Sequence, residues 1–333
     1  MSSALTIRAA LTRGAIVALS NWPIVLIEFV VETAYTFAMG VPVVGGAFML
    51  AVLLGADVRS LLSEGLWSAA EQILVPLANA PAALAAFIAA LSLVGVAGAV
   101  IMYVVKAGTL AVLVYGEAAA GDDRHHPVGM ATIYEARAYS LEIVWKAMRR
   151  FEKRAAALAL GLGLIYVGLG GLYLLAVVYG FRWVAESAWA AAWPLLVLLA
   201  TSGAAVGIAL ANLWFDLARV VVVTDDCSVG VALSRVRMFL LEDARQVLGI
   251  FGVMGTILML ATGASWTATA GLTMVAWVPV LGLLFVPLQV AFWIVRGLLF
   301  QYMSLTTLSA YQAQYRRFRT PRAEPVPFRI HSV

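Results

Sequence analysis

Cysteine occurs once in the 333 residues, at Cys227, and histidine only three times. One thiol excludes an intrachain disulfide, and its place beside Asp225 and Asp226 in a polar connection suggests no pairing partner. His125 and His126 follow Asp122 and Asp123, but four adjacent residues lack the spacing of a metal site, so a solvated loop is expected there. No metal or cofactor is expected. The chain lacks a G-x-S-x-G elbow, a P-loop, an H-E-x-x-H helix and a C-x-x-C pair, so nothing in it points to a familiar catalytic centre.

Charge is scarce as well. Only 12% of residues are charged, whereas 63% are hydrophobic. Soluble domains run near 45–50% apolar and about 25% charged. No polar stretch is long enough to make a separate soluble domain. The composition therefore predicts an all-α polytopic membrane protein with a single transmembrane domain over 1–315 and a basic tail over 316–333.

About 20 apolar residues are needed to cross the hydrocarbon core. Six segments qualify: roughly 16–38, 84–115, 156–180, 190–223, 247–266 and 275–308. Arg8 and Arg13 precede the first, which runs past the length of a signal h-region without a clear cleavage site, so it is expected to be retained. The basic residues set the orientation. With a cytoplasmic N-terminus, all but four of the 22 (Arg59, Arg182, Lys106 and Arg296) fall on cytoplasmic connections or span ends. Both termini are then cytoplasmic, and Trp183, Trp189, Trp193, Trp266 and Trp277 gather near the outer interface. The expected location is the bacterial inner membrane. The basic tail suits anionic lipid headgroups. Nucleic-acid binding is not expected, because the basic residues follow topology rather than gather on one domain.

Residues 39–80 form an outer insertion. The apolar run 41–53 is short and carries Pro42, Gly45 and Gly46, which suits a re-entrant or interfacial segment. Residues 61–77 read as an amphipathic surface helix, with Leu62, Leu66, Ile73 and Leu77 on one face.

The spans repeat. A shift of 222 superposes Ala10-Leu11-Thr12-Arg13 on Ala232-Leu233-Ser234-Arg235, and a looser match begins at Ser140. Each unit is a basic amphipathic stretch, a shorter span, an outer turn and a long span. The units cover about 4–117, 138–226 and 227–312. All three enter from the cytoplasm and return to it, which makes three parallel two-helix repeats.

The long spans carry Lys106, Asp216 and Arg296 at matching places, roughly two turns, about 12 Å by helical rise, from their cytoplasmic ends. Arg219 lies one turn beyond Asp216. A charge inside a bilayer needs a partner or a function. Lys106, Asp216, Arg219 and Arg296 are expected to form an intramembrane charge cluster, as a packing device or an ion site. Glu28 and Glu32 form a second anomaly: they share one face of the first span and have no counterpart in the other units. They are the candidate ion or proton site, and whether they face a cavity or packed side chains decides between transport and structure.

The stretch LWFDLARVVVVTDDCSVGVALSRVR, with Asp216, Ala218, Arg219, Asp225, Ala232 and Leu233, resembles a pattern in uncharacterised bacterial six-helix membrane proteins. There a span ends in a D-x-A-R element, followed by an acidic turn and an A-L-rich amphipathic helix. It is also similar to membrane domains attached to some glycerophosphodiester phosphodiesterases. The resemblance covers mainly 100–250, and with no catalytic domain here it implies no such activity. The expected function is a non-enzymatic scaffold or accessory subunit of a larger membrane complex, with lipid and other membrane subunits as partners. The alternative is a transporter or permease for a small or lipid-like solute that uses intramembrane carboxylates. A lipid-modifying enzyme would need a nucleophile and base at one interface, which the sequence does not offer.

Overall fold

The computed structural model describes residues 6–53, 80–121, 130–185, 192–276 and 279–319, and everything below refers to these. Among them there is no strand. Helices α1 (Ile7–Ser20) and α2 (Pro23–Val41) are followed by a single π-type turn at Pro42–Gly46 and by α3 (Ala47–Leu53). Then come α4 (Pro81–Ala119), α5 (Met130–Glu135), α6 (Leu141–Ala185), α7 (Trp193–Asp225), α8 (Val229–Ala276) and α9 (Pro279–Arg319). Six helices are long and apolar enough to cross a membrane: Pro23–Gly46, Pro81–Ala119, Leu141–Arg182, Trp193–Asp225, Val229–Gly271 and Val286–Arg319. The chain is an all-α, multi-pass membrane protein.

The run at 41–53 does not turn back. The backbone stays helical from Pro23 to Leu53 through the π-type turn, where Pro42 lacks the N–H that a regular helix would use. The amphipathic stretch 61–77, the pair His125-His126, Trp189 and Trp277 lie outside the described residues.

The chain divides into two compact units, Met1–Phe29 with Val104–Val333, and Val30–Tyr103. In the smaller unit, aromatics settle on glycines. A Cβ at Gly98 would meet the Tyr35 ring at 2.3 Å, and one at Gly46 would meet Phe87 at 2.8 Å. Backbones approach closely where a residue has no side chain, which is how helices associate when burial from water supplies no force.

In the larger unit the packed core sits at one end. It is built from Ala10 and Val17 of α1, Leu110 and Leu113 of α4, Phe151 and Leu158 of α6, Leu217 and Val221 of α7, Phe239 and Ile250 of α8, and Leu305 and Tyr311 of α9, all buried. Towards the other end, α6 and α7 present large apolar side chains outward. Leu164, Val167, Leu172 and Leu198 are 61–75% exposed. In lipid that exposure carries no penalty, because hydrocarbon tails are as apolar as leucine. Helix α1 lies directly on α9: a Cβ at Gly14 would sit 2.5 Å from the Thr306 carbonyl oxygen and 2.9 Å from the Ala310 nitrogen.

The backbone carries the mark of the repeat. Thr6 caps α1, and its carbonyl accepts the first helical bond from Ala10, as Ser228 does from Ala232. Both pairs are 222 apart. The same shift carries Asn21, where α1 ends with φ −112 and ψ 36, onto Asp243, where α8 kinks with φ −117 and ψ 24. Asn21 is fully buried, and its side chain satisfies the break. Its Nδ2 donates to Val17 O (2.9 Å) and Ala136 O (2.8 Å), and its Oδ1 accepts from Ala138 N (2.8 Å). In α6 no such break occurs, and the amphipathic stretch and the span are one helix of 45 residues.

Candidate functional site

Three groups of polar residues stand out. The first is the junction between α7 and α8. Asp225 closes α7, and Asp226 follows in the left-handed region at φ 49, a conformation aspartate tolerates better than most residues. The buried Asp225 carboxylate pairs with Arg235 of α8 and with Arg319 of α9 (2.7 Å), and accepts from the Tyr315 hydroxyl (2.5 Å). Asp226 pairs with Arg150 and Arg154 of α6, the latter at 2.6 Å. Two adjacent carboxylates thus tie three helices to the end of α7. Burial alone would raise the Asp226 pKa, but the Arg150 and Arg154 hydrogen bonds outweigh it and hold it below the usual aspartate value. Burial pushes the neighbouring Cys227 thiol upward, so it is a poor nucleophile at neutral pH.

The second group repeats this logic in the first unit. Arg13, at the place equivalent to Arg235, reaches the Glu117 carboxylate near the end of α4 at 2.6 Å and donates to the Gly121 carbonyl at 2.6 Å. Both side chains are 4% exposed. Sequence reasoning singled out neither this pair nor the four arginines around Asp225-Asp226. The signal was present: Arg13 and Arg235 align, and an acidic residue ends each preceding or following long span.

The third group lines a cleft of about 200 Å³ between α7, α8 and α9. Asn212 and Asp216 come from α7, Phe251, Met254, Gly255 and Leu258 from α8, and Phe300, Met303, Ser304, Thr307 and Tyr311 from α9. The i,i+4 spacing puts Asn212 and Asp216 on one face. Asp216 is ion-paired with Arg219 on its own helix at 2.7 Å. The Tyr166 hydroxyl donates to Asn212 Oδ1 at 2.5 Å.

Of the four residues expected to cluster, Asp216 and Arg219 are together. Among the described residues Lys106 has no ion-pair partner, and the Arg296 guanidinium lies 5.6 Å from the Phe300 ring centroid rather than on a carboxylate. A partner one turn away on the same helix satisfies Asp216 without another span having to supply one. Glu28 is 2% exposed and accepts a hydrogen bond from Thr109 Oγ1 at 2.5 Å; it is packed, and it does not line the cleft. Glu32 is half-buried on the same helix, and its carbonyl accepts from Thr36. Among the described residues no group of three or more His, Cys, Asp or Glu is placed to hold a metal ion.

Compared with protein families, with curated proteins and with solved structures, the chain matches none.

Proposed function

We propose that this chain is a non-enzymatic scaffold or accessory subunit of a larger complex in the bacterial inner membrane, with both termini cytoplasmic. The observation that carries this reading is how its ionisable residues are used. Arg13, Glu117, Asp216, Arg219, Asp225, Asp226 and Arg235 are held in ion pairs, and Glu28 is hydrogen-bonded to Thr109 in packed surroundings. Polar groups spent in this way fix helix register and leave little to move a solute. The far halves of α6 and α7 meanwhile offer apolar faces with open glycines at Gly163, Gly168, Gly170 and Gly203, where another helix can approach closely. The basic stretches favour anionic lipid on the cytoplasmic side. The resemblance to bacterial six-helix proteins with a D-x-A-R element belongs to this proposal, and the Asp216–Arg219 pair gives that element a structural role.

The test is a photo-crosslinking amino acid at Leu172 or Leu198 in native membranes. Discrete protein adducts at these positions support the reading; lipid adducts alone count against it.

One observation favours the alternative, a transporter or permease for a small or lipid-like solute: Asp216 lines a cleft within the span region. That reading requires that neutralising Asp216, Glu28 or Glu32 abolish a measurable flux in liposomes while the fold survives.

A further inference from the structure

The cleft between α7, α8 and α9 has a chemical character of its own. Asp216 is its one carboxylate, and Arg219 already answers that charge at 2.7 Å. A charged head entering here would therefore find no unanswered counter-ion, so an ionic ligand is disfavoured. The remaining polar groups are mostly acceptors. The Thr307 hydroxyl donates to the Met303 carbonyl at 2.8 Å, which leaves its oxygen lone pairs to accept. Asn212 accepts from Tyr166 through its Oδ1, which leaves its amide N–H groups to donate.

Tyr311 supplies the strongest pointer. Its side chain is 2% exposed, it lines the cleft, and its hydroxyl has no hydrogen-bond partner among the described residues. A buried polar group left unmatched costs free energy that a ligand can recover. The other walls, among them Phe251, Leu258 and Phe300, are apolar. A volume of about 200 Å³ holds a small head and a few methylenes.

We propose that this cleft binds the hydroxyl head of an uncharged lipid, with its hydrocarbon against α8 and α9. The hydroxyl hydrogen goes to the acceptors formed by Asp216, Thr307 and Tyr311, and its oxygen accepts from the Asn212 amide. The proposal goes beyond the scaffold reading and does not depend on it.

The test uses the full chain in phosphatidylcholine vesicles, whose headgroup has no hydrogen-bond donor. Three diazirine-bearing C18 probes share one tail and differ in the head: an alcohol, an amine and a carboxylic acid. Labelled residues are mapped by mass spectrometry. The alcohol should label 251–258 and 300–308 in preference to the other two. Tyr311→Phe removes only a hydroxyl with no protein partner, so the fold should survive, and alcohol labelling should fall about fivefold, the worth of one hydrogen bond. Gly255→Leu places a side chain where a Cβ meets nothing within 4 Å. It should fill the cleft and abolish labelling there, with the unfolding midpoint retained. Equal labelling by amine or acid would overturn the proposal, as would alcohol labelling that both substitutions leave unchanged.

Discussion

The Arg13–Glu117 pair offers the sharpest energetic test of how the packed end is held. Both side chains are 4% exposed and 2.6 Å apart, and Arg13 also donates to the Gly121 carbonyl. Taking two charges out of water is costly, and their attraction roughly balances that cost. Removing one partner does not return the system to balance, because the other charge stays buried. Arg13→Met should therefore destabilise the protein by about 3–5 kcal/mol. The double variant Arg13→Met/Glu117→Leu removes both charges and should recover most of that loss. The coupling is read from a double-mutant cycle on reversible unfolding in mixed micelles. If the single variant is no worse than the double, or costs under about 1 kcal/mol, the pair is not the buried ionic tie described above.

Other outcomes follow from the same geometry. Gly14→Val should destabilise by about 1–3 kcal/mol, because the new side chain meets α9 backbone that cannot yield easily; thermal unfolding in detergent measures it. The tie at Asp226 has a pH signature. Its folded pKa lies below the ordinary 3.8, so its stabilisation is full above that value and is lost only as pH falls through the lower folded value. Stability of the native chain relative to Asp226→Asn, followed from pH 7 to pH 2, should stay constant to about pH 4 and then converge. A difference that disappears already at pH 6 contradicts this. Cys227 should alkylate more slowly at neutral pH than a free thiol in solution, with the rate rising above the ordinary value of 9.0.

The spans were legible because bilayer crossing is a coarse constraint on length and apolarity, and all six emerge within a few residues to a turn or more at their ends. The repeat was legible from Ala10–Arg13 and Ala232–Arg235, and the matched breaks at Asn21 and Asp243 give it a backbone counterpart. What the sequence hid was how the amphipathic stretches join the spans. Hydropathy reports where apolarity begins, not where a helix begins, and nothing between Leu141 and Ala185 interrupts the helix. Partner choice was also hidden. Lys106 and Arg296 look equivalent to Asp216 along the chain, but Asp216 has a nearer cation in Arg219. Glu28 was conspicuous as a charge, yet only the neighbouring Thr109 shows it to be packed. The cleft needed three helices to be brought together before Asn212, Asp216 and Tyr311 became one site.

The most direct test of the central claim is extraction of the full chain from its native membrane in a mild detergent, with the mass and composition of the resulting particle measured. A scaffold or accessory subunit leaves the membrane with stoichiometric protein partners, and those partners are lost when the far faces of α6 and α7 are made polar, for example with Leu172→Ser and Leu198→Ser. A monodisperse lone monomer, unchanged by those substitutions, would contradict it.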